Sequence, residues 1–321
     1  MRFRRLVYGI GGFLGSVALY NGFLKYKTEP LPNPLPGQVH EYSWRGLTIP
    51  YTVAGDKNNP DVLLLHGIHA AASSHEFYKL WPKLTDNYHV IAPDLPGFGR
   101  SSRPKIPYTS QMYQEFLCDF VQDNDQVKKP ICIATSLTGG YIASLASENL
   151  FQRLILIAPI TNTQNNAPWM ATLLEQPIIG RQLFNFLVSR ESLRWFNARQ
   201  AFQFAENIES TYIDYQWQTA HQSGARFAPA AFIRGALDLS ENLQNVLSDV
   251  SVPVTLLWGA EATTPPLSTG RQVAKATDSK LVVIDDTRLS PHVEYPDAVI
   301  EGLAGDLSEL NEFPRSGSAG K

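Results

Sequence analysis

The sequence predicts an α/β protein with a doubly wound, mostly parallel sheet and one helical insertion. Several short apolar runs show little alternation, and helix-like stretches lie between most of them. Continuous apolar runs are typical of parallel strands covered on both faces, and their alternation with helices indicates βαβ units. One gap of more than ninety residues, between Ala158 and Val252, has no strong strand pattern and predicts the insertion.

Six runs carry the strand prediction. They are Asp61–His66, Tyr88–Pro93, Pro130–Ala134, Arg153–Ala158, Val252–Trp258 and Lys280–Ile284. Thr109–Val127 and Gly139–Glu148 are the clearest helices between them. The predicted core therefore covers residues 38–160 and 251–310, in two parts.

The insertion, residues 161–250, is predicted to be a helical cap over the carboxyl edge of the sheet, where open α/β folds bind ligands. Ile178–Leu187 and Glu206–Thr219 have the pattern of amphipathic helices. Aromatic residues are dense here: Trp169, Phe184, Phe186, Trp195, Phe196, Phe202, Phe204, Tyr212, Tyr215 and Trp217. Two interpretations remain open, because these side chains could form the core of the cap or line an apolar pocket.

Composition excludes several classes of protein. Among 321 residues 44% are hydrophobic and 18% are charged, which is typical of a folded globular chain. The net charge of −3 leaves no basic stripe for nucleic acid. Cys118 and Cys132 are too few for a disulfide framework or a zinc cage.

The N-terminal 37 residues form a separate predicted segment. Arginines at positions 2, 4 and 5 precede the uncharged run Leu6–Leu24, which is near the roughly 20 residues needed to cross a bilayer. We expect an uncleaved membrane anchor with the globular part outside the cytoplasm; a cleaved signal peptide, giving a secreted protein, is the alternative. The proline-rich stretch Glu29–Gly37 predicts a stiff, extended spacer, and residues 311–321 a flexible tail.

Four motifs at strand ends then define a resemblance. His66-Gly67 follows one strand, Asp94-Leu-Pro-Gly-Phe-Gly follows the next, Trp258-Gly259 follows a late strand, and Pro291-x-x-Glu294-x-Pro296 lies near the end. In this order and spacing the chain resembles the α/β-hydrolase superfamily over about residues 38–310. The resemblance implies a serine-type hydrolase whose cap is the insertion.

The turn after His66 has a physical reason of its own. A glycine lets the chain turn so that a backbone N–H can face a developing oxyanion, and Ile68 would supply that N–H. Leu137, which follows the candidate nucleophile, would supply the second N–H. Asp94 is expected to accept hydrogen bonds from local backbone groups.

The nucleophile position departs from the family pattern G-x-S-x-G. The chain has Ala134-Thr-Ser-Leu-Thr-Gly-Gly140, so two registers compete. If Ser136 is the nucleophile, Ala134 and Thr138 replace the flanking glycines. If the glycine pair sets the register, Leu137 fills the position and has no nucleophilic atom.

The acid and base positions also depart from the pattern. The position for the acid after Trp258-Gly259 is Ala262, preceded by Glu261, and the position for the histidine is Leu289. His292 lies three residues further on. The sequence therefore predicts a displaced triad of Ser136, His292 and Glu261, or a site that has lost its chemistry.

The expected activity is hydrolysis of an ester or a similar carbonyl in a small apolar substrate. The alternative is a non-catalytic binding protein for a small apolar ligand, because a fold does not establish a function. No cofactor is expected, since Gly97-x-Gly99 lacks the third glycine of a dinucleotide fingerprint. No metal is expected either, because His66-x-x-His69 has no third spaced ligand.

Overall fold

The computed structural model describes residues 30–163 and 166–308. Its centre is an eight-stranded sheet with the order β1-β2-β4-β3-β5-β6-β7-β8. The strands are β1 (Gln38–Trp44), β2 (Leu47–Ala54), β3 (Asp61–Leu65), β4 (His89–Pro93), β5 (Ile131–Thr135), β6 (Arg153–Ile157), β7 (Val254–Gly259) and β8 (Lys280–Ile284). Strand β2 pairs antiparallel with β1 and β4, and all other pairs are parallel. The predicted fold class and all six predicted strands are confirmed.

The buried strands show why the apolar runs lack alternation. In β3, Leu63 and Leu65 pack in a cluster on one face of the sheet, whereas Val62 and Leu64 pack in a second cluster on the other. Both faces are therefore covered, as parallel strands require. Strand β1 alternates between more and less exposed residues because it lies at the edge, and the sequence pattern gave no separate strand there.

Helices cover the two faces and form the insertion. They are α1 (Trp81–Thr85), α2 (Ser110–Asp123), α3 (Ser136–Ser144), α4 (Pro168–Leu174), α5 (Ile179–Leu187), α6 (Arg190–Phe196), α7 (Ser210–Ala220), α8 (Phe227–Arg234), α9 (Leu243–Ser248), α10 (Leu267–Thr277), α11 (Pro291–Glu294), α12 (Pro296–Gly302) and α13 (Ala304–Ser308). Helix α2 begins with a side-chain cap, because Thr109 Oγ1 accepts a hydrogen bond of 3.1 Å from Met112 N.

The insertion between β6 and β7 is helical, but only its first part packs as a separate cap. Phe184, Phe202 and Tyr212 are buried in a cap cluster, so these aromatics do form the core of the cap. Leu243 and Leu247 of α9 instead pack in the main cluster against the sheet. The packing thus returns to the core before the predicted boundary at residue 250.

The proline-rich stretch is packed against the body over its described part. Leu35 is buried, and the carbonyl of Pro36 accepts a hydrogen bond of 2.8 Å from Trp81 Nε1. The carbonyl of Pro32 accepts one of 3.1 Å from the hydroxyl of Tyr215 in α7. These contacts hold the described part of the predicted spacer against the body. The structure does not describe Glu29, the run Leu6–Leu24 or the tail 311–321. None of the described helices has the length and apolar character of a membrane span.

Candidate active site

Ser136 lies at a sharp turn between β5 and α3. Its φ angle is +53°, in the left-handed region that residues other than glycine rarely adopt. Holding such a residue there costs on the order of 1–3 kcal/mol, and such strain is concentrated at functional sites. Leu137 follows with its side chain fully buried. Of the two registers that the sequence left open, the backbone therefore adopts the one with serine at the turn.

The glycine pair has a packing role instead. A Cβ on Gly140 would lie 2.3 Å from the carbonyl oxygen of Ile160, and a Cβ on Gly139 would lie 3.1 Å from Pro159 Cβ. Helix α3 can approach the loop after β6 only because these positions have no side chain. Thr138, at the position of the family glycine, donates a hydrogen bond of 2.8 Å from Oγ1 to the carbonyl of His66.

Gly67 packs closely beside Ser136. A Cβ at position 67 would lie 2.9 Å from Thr135 Oγ1, 3.5 Å from Ser136 Cβ and 3.8 Å from Glu76 Oε2. The absence of a side chain therefore lets the turn after β3 approach both Ser136 and the Glu76 carboxylate. The backbone N–H groups of Ile68 and Leu137 have no hydrogen-bond partner within the part of the chain that the structure describes.

His66 and Asp94 hold the loops around Gly67. Nδ1 of His66 lies 2.7 Å from the carbonyl of Gly67, and its Nε2 accepts a hydrogen bond of 3.0 Å from Leu95 N. Burial lowers the pKa of His66, which favours the neutral ring that this pair of contacts needs. Asp94 accepts hydrogen bonds from the backbone N–H groups of Ser74 and Arg100, which is the role expected for it.

A pair of side chains, buried His292 and partly buried Glu76, lies next to Gly67. Glu76 is in a 3₁₀ turn after β3, and His292 is in α11 after β8. Nε2 of His292 lies 3.1 Å from Glu76 Oε1, while Glu76 Oε2 accepts a hydrogen bond of 2.9 Å from Gly67 N. The His292 side chain is fully buried, and its Nδ1 has no hydrogen-bond partner. The carboxylate thus connects the imidazole to the turn beside Ser136.

The charge of Glu76 is stabilised in place. Burial alone would raise the pKa of this carboxyl, but the hydrogen bond and positive charge of His292, with further contributions from His69 and Gly67 N–H, lower it to about 2. Glu76 is therefore ionised at neutral pH. An ionised carboxylate only accepts hydrogen bonds, so Nε2 of His292 is the donor to Glu76, and Nδ1 has no partner.

The predicted role of Glu261 is corrected by this geometry. Its side chain is exposed in the turn after β7, whereas the carboxylate that meets His292 is Glu76. Ala262 and Leu289, at the family positions for acid and base, pack in one apolar cluster with Trp258 and Leu267. The positions where the family has its acid and base are thus occupied by apolar residues that pack in one cluster.

Sequence reasoning missed Glu76 because the family pattern places no acid there. The available signal was its position a few residues after Gly67, in a loop expected at the carboxyl edge of the sheet. The rival acids Asp285 and Asp286 are exposed in the turn after β8. His69 is exposed, and its Nδ1 accepts a hydrogen bond of 3.3 Å from Ala71 N.

The segment that carries His292 is tied to the cap. Arg288 donates hydrogen bonds to the carbonyls of Ala198 and Arg199, at 3.1 and 2.7 Å. The Glu294 carboxylate accepts hydrogen bonds of 2.9 Å from Gln203 N and Phe204 N. Arg288 stands where the family has the glycine that precedes its histidine. In this chain the position therefore forms a contact with the cap.

A groove of about 470 Å³ lies apart from these residues. It is lined by the docked N-terminal stretch and by Arg100 and Arg103, and it does not include Ser136, Glu76 or His292. Geometry and chemistry therefore favour the turn that carries Ser136, rather than this open groove, as the candidate active site.

Comparisons with known proteins agree with the fold. The sequence model of the Alpha/beta hydrolase family matches residues 62–301, and the chain belongs to this family. Uncharacterized hydrolase YugF of Bacillus subtilis is 24% identical over 271 residues, which is 83% of this chain and 96% of that protein. Uncharacterized hydrolase YNR064C of Saccharomyces cerevisiae is 47% identical over only 60 residues, or 19% of this chain and 20% of that protein.

Among solved structures, the serine hydrolase CarC, involved in carbazole degradation, has a TM-score of 0.70 at 20% identity. The superposition covers 85% of this chain and 99% of the other. At this identity the likeness shows the fold alone. The family and the hydrolase-named relatives support a hydrolase in general terms.

Proposed function

We propose that the protein is a serine hydrolase that cleaves esters of small apolar acids, with Ser136 as the nucleophile. The observation that carries the proposal is the left-handed conformation of Ser136 at the strand-to-helix turn, beside the closely packed Gly67 and the Glu76–His292 pair. A strained serine at this position presents its hydroxyl at the carboxyl edge of the sheet, where the family carries its chemistry.

The proton of Ser136 Oγ is transferred to the Glu76–His292 pair. A carboxylate with a pKa of about 2 is a poor acceptor for a hydroxyl proton, so the imidazole is the acceptor and Glu76 orients it. Its Nδ1, which has no hydrogen-bond partner, is the atom available for this transfer. The base is therefore oriented through Nε2 and reacts through Nδ1.

The reaction then proceeds in two steps. Ser136 Oγ attacks the ester carbonyl carbon, the N–H groups of Ile68 and Leu137 stabilise the oxyanion, and protonated His292 gives its proton to the leaving alcohol. Water, deprotonated by the same imidazole, hydrolyses the acyl-enzyme and restores the Ser136 hydroxyl.

Aromatic side chains support an apolar substrate. His75, one residue before Glu76, stacks between Tyr78 and Tyr215, with ring centroids 4.9 and 4.3 Å apart. Burial lowers the pKa of His75 to about 4, so this ring is neutral at pH 7. We propose that these neutral rings contact the acyl group of the substrate, which favours an acyl group without charge.

Labelling with a fluorophosphonate tests the nucleophile. We expect the full chain to be labelled and Ser136→Ala to be unlabelled, because the reagent phosphonylates an activated serine. Ser144→Ala, in the same helix α3 and further from the turn, is the matched control and keeps its label. Equal labelling of wild type and Ser136→Ala would contradict the assignment.

A non-catalytic binding protein is the second candidate. The observation that favours it is the apolar packing of Ala262 and Leu289, where the family carries its acid and base. It predicts no fluorophosphonate label and no hydrolysis of short acyl esters, together with binding of a small apolar ligand.

We also propose that the run Leu6–Leu24 anchors the protein in a membrane, with the globular part outside the cytoplasm. Arginines before the run and the lack of charge within it support this assignment. Recovery of the full chain in the membrane fraction after a carbonate wash supports the anchor. Release of the protein into the medium supports cleavage instead.

A further inference from the structure

We propose that the outer face of the cap docks on an anionic phospholipid bilayer. This outer cap face consists of six exposed apolar residues on or beside three consecutive helices: Trp169, Ile178, Ile179, Phe186, Trp195 and Phe196. The inference rests on the proposed membrane anchor, and it is independent of the proposed chemistry at Ser136.

The exposure of these residues is selective. In α5, Phe184 is 4% exposed and lies in the cap cluster, whereas Phe186, two residues further on, is 70% exposed. In α6, Leu193 is buried while Trp195 is 56% exposed. The cap therefore has a complete inner core and a second apolar face that its own packing does not cover. Exposed apolar patches of this kind indicate an interaction surface.

The three helices form a connected layer. Gly180 at the start of α5 fits against the end of α4, because a Cβ there would lie 2.3 Å from the carbonyl oxygen of Leu174. The start of α6 folds onto the end of α5, with Ser192 Oγ 3.2 Å from the carbonyl of Phe186. The rings of Trp195 and Phe196 lie 4.9 Å apart. The apolar residues thus belong to adjoining helices of one layer.

The charge around the face has the sign that attracts anionic lipid. Between residues 178 and 199 there are four arginines and a single carboxylate, Glu191, although the whole chain has a net charge of −3. Arg194 and Arg199 are exposed, and Arg199 lies over the ring of Trp195 at 5.7 Å. Tryptophan, phenylalanine and isoleucine bordered by arginine are the composition of helices that lie in a membrane interface.

The path of the chain brings this part of the cap to the membrane. The carbonyl of Pro32 is held by Tyr215 of α7, and α7 packs against α6, where Arg190 of α6 forms an ion pair of 2.6 Å with Asp214 of α7. From Leu24 to Pro30 the chain can span at most about 20 Å. An anchor that ends at Leu24 therefore holds Pro30 within that distance of the bilayer, and the docked stretch connects Pro30 to the neighbouring cap helices.

Quenching of tryptophan fluorescence by brominated phospholipid tests the contact in the full chain. The protein is reconstituted into phosphatidylcholine vesicles with and without phosphatidylserine, both with brominated acyl chains. We expect quenching of part of the emission of the six tryptophans, and more quenching when phosphatidylserine is present. Trp169→Phe/Trp195→Phe should remove the quenched part, which assigns it to the outer cap face.

Two further variants separate the apolar and charged contributions. Ile179→Ser/Phe186→Ser/Phe196→Ser should reduce the quenching by at least about tenfold, because burial of each apolar side chain contributes strongly to lipid contact. Arg181→Gln/Arg194→Gln should remove the difference between the two lipid compositions. The matched control is Val39→Ser/Ile106→Ser, two exposed apolar residues outside the cap, and it should leave the quenching unchanged.

The outcomes distinguish the inference from the proposals on which it depends. Vesicle-bound protein with unquenched tryptophans overturns the docking and leaves the anchor intact, and equal quenching in both lipids overturns the preference for anionic lipid. A full chain that does not sediment with vesicles overturns both the anchor and the docking. Loss of fluorophosphonate labelling with quenching retained contradicts only the proposed hydrolase.

Discussion

Two buried histidine–carboxylate pairs lie at opposite ends of the sheet. At the amino ends of β3 and β4, Nδ1 of His89 lies 2.9 Å from Asp61 Oδ1, and Lys128 N donates to the other oxygen of Asp61 at 2.6 Å. At the carboxyl ends, His292 meets Glu76 at 3.1 Å, and Gly67 N donates to the second carboxylate oxygen. The chemical groups and their burial are closely similar.

The two pairs differ in what surrounds them. Asp61 and His89 face each other directly across paired strands, and no buried atom of His89 lacks a partner in the described part of the chain. His292 keeps a buried, unpartnered Nδ1, and the carboxylate of Glu76 accepts a hydrogen bond from Gly67 N, next to Ser136. The comparison teaches that location and an uncommitted ring nitrogen, rather than the pair as such, mark the candidate active site.

Replacing His292 or His89 by asparagine should give the largest difference in activity between the two pairs. We expect His292→Asn to reduce ester hydrolysis by about 10³-fold, because it removes the proposed base. His89→Asn should leave turnover within about twofold and lower only the melting temperature. Turnover and melting curves of both variants provide the check, and equal losses of activity would show that His292 acts only through stability.

A third histidine–carboxylate pair, placed at the family positions 289 and 262, tests whether those positions can support hydrolysis. Ala262→Asp/Leu289→His introduces two polar groups into the apolar cluster around Trp258. We expect a loss of about 3 kcal/mol in the free energy of unfolding, measured in urea, and no gain in hydrolysis. Leu289→Met conserves volume and should cost less than about 1.5 kcal/mol. Increased turnover in the double variant would disprove the assignment of the base to His292.

Conversion of Glu76 to its amide should lower hydrolysis, whereas conversion of Asp61 or Glu261 should not. In Glu76→Gln the amide oxygen accepts from Gly67 N, so its NH₂ group faces His292 Nε2 and moves the ring proton to Nδ1. We expect hydrolysis to fall by about 10²-fold. Asp61→Asn and Glu261→Gln should keep wild-type kcat, and a similar fall in either of them would refute the proposed role of Glu76.

The smallest expected effect is a difference between the wild type and Glu76→Gln in how stability falls at acid pH. The pKa of Glu76 is lowered from its ordinary 4.5 to about 2 in the folded protein, so its contribution to stability is present above pH 4.5 and is lost as the pH falls toward 2. Over that interval the wild type should lose on the order of 2 kcal/mol more than Glu76→Gln. Parallel stability curves for the two proteins would mean that Glu76 is not charge-stabilised.

The sequence predicted the sheet well because buried parallel strands have an unambiguous apolar pattern. The runs that became β3 to β8 need only their own composition to be recognised. Ser136 could be named, but its register could not be decided, because the left-handed turn is a backbone property that the adjacent glycine pair obscured. Glu76 could not be assigned, since its partner lies 216 positions away and only the folded chain brings them together.

The hydrogen bonds that tie Arg288 and Glu294 to residues 198–204 have a mechanical consequence. His292 lies between these two attachment points, so its position is coupled to the part of the insertion above it. A displacement of residues 198–204 would therefore also displace the imidazole. In the proposed reaction, the position of the base would then depend on the hydrogen bonds of one short stretch of backbone.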